Sequence, residues 1–369
     1  MDSPAFVNPI APTTRQGRSV SPGAAHANRG EMSANGPPAN GPSAKVFATQ
    51  CYGPVAGFMP AVERVLQDEL RTRIDVLAPL LRHGVQLGGK RLRPALVLLA
   101  GMAVDAERVD AGHVTLAAVL EMVHTATLIH DDVLDEADTR RRVATINSVW
   151  GDHVSILLGD YLFSQAFRLS ATLGSTEACR QIGEASRRVC EGELRQVLSR
   201  NRLDLSEADY LQMIEYKTGE LCGVACRLGA VQSGGDERLS TDLAAYGSSL
   251  GVAFQIVDDY LDLWGDSAAV GKTLGTDVAQ GKWTLPVLRL WRTAAGADRQ
   301  RLQSILSGPV EARLPALLPM LNDSDAAEYT LRAAEDCRER ACDALTGLRN
   351  TPAKRSLIDL ASFAVARTY

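Results

Sequence analysis

From Phe58 onward, apolar side chains return at every third and fourth position, the mark of helices with one buried face, and Gly or Pro stands at the joints. The pattern predicts helices over 58–82, 92–104, 110–134, 147–173, 176–199, 206–233, 239–264, 282–295, 298–307, 311–321, 325–348 and 353–367. Strand alternation is absent, so the expected class is all-α. No apolar run approaches the ~20 residues needed to span a bilayer.

The first 45 residues break the pattern, because Ala, Pro, Gly, Ser and Asn dominate and large apolar side chains are scarce. Residues 1–45 are expected to be a disordered leader ahead of a single helical domain over 46–369. A few arginines and a shortage of acids would also suit an organelle transit peptide. The prolines and glycines oppose the amphipathic helix such a peptide needs, which favours a cytoplasmic protein.

Composition narrows the choices. A chain of 369 residues, 46% hydrophobic and only 5% aromatic, can bury a large aliphatic core. A net charge of -5 supplies no general basic field, so nucleic acid is not an expected partner. Seven cysteines are scattered without metal-ligand or disulfide-framework spacing, which suits reduced thiols. Cys222 and Cys226 are one helical turn apart, but no nearby Cys or His completes a site, and core packing accounts for them.

The acidic residues are harder to explain by solvation. "LIHDDVLDEADTRRR", Leu128 to Arg142, concentrates acids from Asp131 to Asp138 and follows them with three arginines. Asp131, Asp132 and Asp135 repel one another along one helical flank. "VDDYLD" repeats the spacing with Asp258, Asp259 and Asp262 at the end of another apolar helix. Both clusters sit where the helix dipole disfavours negative charge, so each demands a cation. Oxygen ligands without His or Cys select Mg²⁺, which is normally completed by substrate phosphates. Three basic stretches match that reading: "GGKRLRP" with Lys90, Arg91 and Arg93, "EYKTGE" with Lys217 and Thr218, and "GKTLGTDVAQGKWTLP" with Lys272 and Lys282. Taken singly, each also fits a solvated surface cation.

Taken together and in this order, "GGKRLRP", "HDDVLDEADTRR", "YKTGEL", "FQIVDDYLD" and "GKTLGTDVAQGKWTLP" resemble the trans-isoprenyl diphosphate synthases, the polyprenyl synthetase family, from Phe58 to Tyr369. The resemblance implies a single-domain bundle of antiparallel helices around a deep central cavity, usually a homodimer. It implies 1'-4 condensation of isopentenyl diphosphate onto an allylic diphosphate: geranyl, farnesyl or geranylgeranyl. Asp131, Asp132 and Asp135 would hold one side of a cluster of about three Mg²⁺ ions, and Asp258, Asp259 and Asp262 the other. Arg140, Lys217, Lys272 and Lys282 would grip the allylic diphosphate, with Thr218 and Gln255 at the reacting end. Lys90, Arg93, His124 and Arg141 would hold isopentenyl diphosphate. The released diphosphate would accept the proton, so no protein base is assigned. Arg142 stands where the family usually has Gly, and Thr273 where Pro is common.

Product length follows from the same resemblance. In short-chain members, bulky rings four and five residues before the first aspartate close the cavity. Here those positions are Thr127 and Ala126, which leave a tunnel open past Val123, Met122 and Val119. From Asp110 to Asp131 the helix measures about 32 Å, and one isoprene unit occupies roughly one ~5.4 Å turn, which admits about six units. The expectation is an all-trans hexaprenyl to decaprenyl diphosphate, suited to quinone side chains and handed on to a membrane. A floor at Phe163 or Phe167 would instead give geranylgeranyl or geranylfarnesyl diphosphate. A non-catalytic partner subunit should have lost some of these ligands. A terpene cyclase would typically carry a different second metal motif from "DDYLD".

Overall fold

The computed structural model describes residues 51–86, 89–141, 143–266 and 274–367. The expected leader over 1–45 lies outside the described residues, as do Lys272, Thr273 and Arg142. The helices are α1 (Met59–Glu69), α2 (Ala78–Gln86), α3 (Leu92–Asp105), α4 (Ala111–Leu134), α5 (Ile146–Trp150), α6 (Asp152–Ser170), α7 (Thr176–Leu198) and α8 (Glu207–Ile214). They continue as α9 (Glu220–Gln232), α10 (Glu237–Trp264), α11 (Thr276–Ala279), α12 (Leu285–Thr293), α13 (Gly296–Leu306), α14 (Val310–Asn322), α15 (Ala326–Ala344) and α16 (Pro352–Ala366).

The centre is a run of neighbours: α6 packs on α4, α4 on α3, α3 on α9, α9 on α10 and α10 on α15. Leu96, Val97, Leu98, Leu99 and Ala100 are all sealed from solvent, so α3 is apolar on every side. Each such leucine contributes about 1.5–3 kcal/mol by leaving water. A second apolar cluster, Leu70, Leu80, Leu81, Ala126, Ile129, Ile146, Leu158 and Leu162, joins α2, α4, α5 and α6. The start of α4 is pinned by Asp110, whose Oδ1 accepts from the Gly112 and His113 amides at 3.0 and 3.3 Å. The His113 ring bridges Asp110 Oδ1 at 2.9 Å and Ser233 Oγ at 2.9 Å, tying α4 to the end of α9. Both aspartate motifs fall at helix C-terminal ends, α4 and α10.

The sequence expectations need correcting in several places. Helix 58–82 is two helices: α1 stops at Glu69 and α2 starts afresh at Ala78, with Pro79 in the first turn, where a missing amide hydrogen costs no helical bond. Helix 147–173 breaks at Gly151, whose φ of 86° lies outside helical space. Helix 206–233 contains a π turn at Glu215–Gly219 between α8 and α9. A short antiparallel pair, β1 (Thr139–Arg140) and β2 (Val143–Ala144), stands where no strand was expected; two-residue strands leave no alternation to read. Finally, α4 is long and apolar enough to cross a membrane by length and composition, although 72% of that stretch is buried within the bundle.

Candidate active site

Three elements converge on the first aspartate motif. Asp131 and Asp132 lie in the last turn of α4, and Asp135 caps it. Lys217 comes from the π turn and reaches Asp131 Oδ2 at 3.2 Å. The extra residue of a π turn re-aims neighbouring side chains, which is a frequent feature of functional sites. Lys217 also meets Glu193 Oε1 at 2.7 Å and Gln196 Oε1 at 3.2 Å, both on α7. Burial opposes the Lys217 charge, but Asp131 and Glu193 outweigh it and raise its pKa. Glu193 is pushed up to about 7 by burial, with Lys217 opposing and Asp131 adding to the shift.

Asp132 is buried, and Arg140 on β1 donates to its Oδ1 through Nε at 2.9 Å and Nη2 at 2.8 Å. The hairpin thus turns Arg140 back onto the motif that precedes it. Burial raises the Asp132 pKa, with Arg140 opposing. Asp135 accepts from Lys282 Nζ at 2.8 and 2.9 Å and from Arg200 Nη2 at 3.0 Å.

The second motif is braced differently. Asp262 accepts from the Thr276 amide, the Thr276 hydroxyl and the Asp277 amide at 3.2, 2.7 and 3.1 Å. One short segment therefore serves both motifs: its Thr276 end caps Asp262 and its Lys282 end grips Asp135. Between them Asp277 is raised to about 6 by burial and by Asp262. Asp259 accepts from the Tyr210 hydroxyl and from Gln255 Nε2, each at 2.7 Å. Burial, with Asp277 nearby, holds the Asp259 carboxyl well above the usual range. Asp258 is more than half exposed, and Arg367 Nη1 holds its Oδ1 at 2.7 Å. Thr218 Oγ1 donates to Gln255 Oε1 at 3.1 Å.

The basic residues assigned to isopentenyl diphosphate also gather. His124 is half-buried; burial, then Arg93, Arg140, Arg141 and Arg91, drive its pKa well down, so it presents a neutral imidazole. Arg93 is buried and its Nε has no partner, an orphaned donor. A side chain at Gly89 would overlap the Arg141 guanidinium, so glycine there leaves room for it. Burial and Arg140 lower the Arg141 pKa. Lys90 Nζ lies 5.3 Å from the centre of the Phe363 ring. Arg91 plays a different part, bridging Glu63 at 2.6 Å and the buried Glu121 at 2.9 Å.

Of the tunnel residues, Val119, Met122 and Val123 belong to the main core and Ala126 to the second cluster. Thr127 is half-buried. Phe163 packs against both clusters, with its ring 6.0 Å from that of His130. Phe167 is 40% exposed and stacks on Phe163, so it stands on the outer side of α6.

The donors fit a hard divalent cation. All are carboxylate oxygens, and Asp132 Oδ2 is buried with no partner at all. Among the described residues, no three acidic or histidine side chains converge on one point. Asp131, Asp132, Asp135 and Asp258 are spread instead over the ammonium and guanidinium groups named above, and Asp259 and Asp262 over neutral donors.

Sequence reasoning missed Glu193, Gln196, Arg200, Tyr210, Asp277 and Arg367. Asp277 was readable, since it lies inside "GKTLGTDVAQGKWTLP" between the two lysines assigned there. Glu193 and Gln196 carry no local signal, because α7 is lined with ordinary Glu–Arg pairs such as Arg187–Glu184.

An all-α bundle that collects carboxylates and cations at the ends of its core helices defines an isoprenoid-type prenyltransferase. The polyprenyl synthetase family model matches residues 74–315, and the chain belongs to that family. It is 36% identical over 310 residues to the octaprenyl diphosphate synthase of Escherichia coli (strain K12), covering 84% of this chain and 95% of that one. The structure of a decaprenyl diphosphate synthase from Rhodobacter capsulatus aligns with a TM-score of 0.82 at 34% identity, covering 87% of this chain and 99% of that chain. A polyprenyl synthase from Caulobacter crescentus CB15, complexed with calcium and isoprenyl diphosphate, aligns at 0.81 and 34% identity, covering 87% and 98%.

Proposed function

We propose that this protein adds isopentenyl diphosphate head-to-tail to an allylic diphosphate and builds an all-trans polyprenyl diphosphate of hexaprenyl to decaprenyl length. The observation that carries the reading is the segment from Thr276 to Lys282, which braces Asp262 with one end and Asp135 with the other. Two carboxylate clusters held across one mouth suit a substrate that carries two phosphates.

Asp131, Asp132, Asp135, Asp258 and Asp262 would hold Mg²⁺, whereas Asp259, expected among the ligands, has its two oxygens taken by Tyr210 and Gln255 and would brace the others. When bound, the metal supplies charge neutralisation to a departing diphosphate. Lys217, Lys282 and Arg140 stand on the carboxylates and are placed to turn to phosphate oxygens as charge develops there. Arg93, Arg141 and neutral His124 present donors for the second diphosphate. The Caulobacter relative is complexed with calcium and isoprenyl diphosphate, which supports a divalent cation here.

The small Ala126 at the head of the second apolar cluster supports a long product. Phe163 favours the second reading, a geranylgeranyl or geranylfarnesyl diphosphate, because its ring wedges between the two clusters. The aspartates and basic residues that the resemblance implies are all present in the sequence, which supports an enzyme over an inactive partner subunit. Free thiols at all seven cysteines suit a reducing, cytoplasm-like compartment. Exposed Ile156, Leu157 and Phe167 along α6 support a homodimer. The deciding experiment incubates the purified protein with isopentenyl diphosphate, Mg²⁺ and each allylic starter, then resolves products by chromatography and mass spectrometry. Failure to consume isopentenyl diphosphate with every starter would overturn the reading.

A further inference from the structure

Tyr210, Asp259, Gln255 and Thr218 form one hydrogen-bonded chain across α8, α10 and the π turn. Tyr210 is 3% exposed, and its hydroxyl donates to Asp259 Oδ2 at 2.7 Å. Gln255 Nε2 donates to the other oxygen, Oδ1, at 2.7 Å. A carboxamide carries its donor and acceptor on opposite branches, so committing Nε2 to Asp259 turns Oε1 toward Thr218. The Thr218 hydroxyl donates to that oxygen at 3.1 Å. Its proton is thereby committed, and the lone pairs of Oγ1 face away from Gln255. A hydroxyl free to rotate could present either its proton or its lone pairs.

We propose that Tyr210 is a positioning residue: acting through Asp259 and Gln255, its hydroxyl fixes the polarity with which Thr218 faces the reacting end of the allylic substrate. The inference rests on the prenyl-transfer reading above. Asp131, Asp132, Asp135 and Asp258 are each paired with Lys or Arg, whereas both Asp259 oxygens take neutral donors from inside the fold. Asp259 is thus the hub of a fixed chain. An allylic carbon that becomes positive on losing diphosphate is stabilised by an acceptor dipole and destabilised by a donor. Without the Tyr210 proton, Asp259 loses one of its two restraints, the Gln255 amide is free to swing, and Thr218 no longer has a set polarity.

Tyr210→Phe keeps the ring and removes only the hydroxyl. The expected result is a kcat lower by roughly 10- to 100-fold, the range for a buried hydrogen-bonding group left without its partner. KM for both diphosphates and the Mg²⁺ concentration for half-maximal rate should stay within about twofold. Thr218→Val should lower kcat by itself, and the double variant should lose little more, because both act on one dipole. Three results overturn the proposal: an unchanged kcat with only a lower Tm, additive losses in the double variant, or a raised Mg²⁺ requirement matched by weaker metal binding to substrate-free enzyme. If Tyr210→Phe fails to fold, Gln255→Met breaks the middle of the chain instead, and a kcat near wild type there overturns the proposal equally. A wild-type protein that consumes no isopentenyl diphosphate would defeat the underlying reading. An active wild type with an unaffected Tyr210→Phe defeats only this inference.

Discussion

Replacing Ala126 with Phe puts the tunnel reading to a direct test. Ala126 is fully buried in α4, among Leu158 and Leu162 of α6 and Leu80 and Leu81 of α2. It lies five residues before Asp131, about 7.5 Å along the helix at ~1.5 Å per residue. The proposed wild-type path to Asp110 would run about 32 Å, or six ~5.4 Å steps, whereas a ring at 126 would leave between one and two. The product of Ala126→Phe should therefore stop near farnesyl or geranylgeranyl diphosphate. Forcing a ring into this cluster costs about 1–3 kcal/mol of stability, and lowers Tm by roughly 2–10 °C. The assay should run well below that Tm, with products identified by mass spectrometry. Product length is read from each completed molecule, so a smaller folded fraction lowers the yield without changing the distribution. An unchanged product length in a folded variant would mean that the growing chain does not pass Ala126, and the length argument would fail with it.

Three further outcomes are expected. Asp131→Ala and Asp258→Ala should each lower kcat by orders of magnitude, several kcal/mol of transition-state stabilisation, with helical circular dichroism intact; near-normal turnover at saturating Mg²⁺ in either would refute a two-sided site. Arg91→Ala should lose about 3–5 kcal/mol in urea unfolding, because it strands the buried Glu121 carboxylate, and a loss below about 1 kcal/mol would show that Glu121 is neutralised some other way. Sedimentation at micromolar concentration should give a dimer, and a fully active monomer would reject a partner over Ile156, Leu157 and Phe167.

Helix positions were legible wherever a long apolar period runs without interruption. The reading of 92–104 became Leu92–Asp105, 110–134 became Ala111–Leu134, and 239–264 became Glu237–Trp264. Each of these helices is buried over much of its surface, so tertiary packing reinforces the local period instead of competing with it. One misreading falls where a single residue outweighs the period, at Gly151 with its φ of 86°. The π turn at Glu215–Gly219 is a different case. It sits inside a continuous helical pattern and leaves no compositional mark, yet it is what aims Lys217 at Asp131.

The aspartates were legible because charge repeated at one spacing on apolar helices has no local compensation, and the structure explains how the molecule tolerates it. Lys217 stands on Asp131, Arg140 on Asp132, Lys282 and Arg200 on Asp135, and Arg367 on Asp258. Arg200 and Arg367 come from ordinary-looking segments distant in sequence, which is why reading along the chain did not find them. This pairing constrains what can bind. A bare diphosphate would have to draw Lys217 away from the buried Asp131 and Lys282 away from Asp135, which would keep only Arg200, so part of the carboxylate charge would lose its compensation at a cost of several kcal/mol. A diphosphate that arrives with divalent cations offers those carboxylates a replacement at the moment the lysines leave. On the proposed reading, the same carboxylates that would repel the free anion would select its metal-bound form, and Lys217, Lys282 and Arg140, which neutralise them, would become the groups that receive the phosphate.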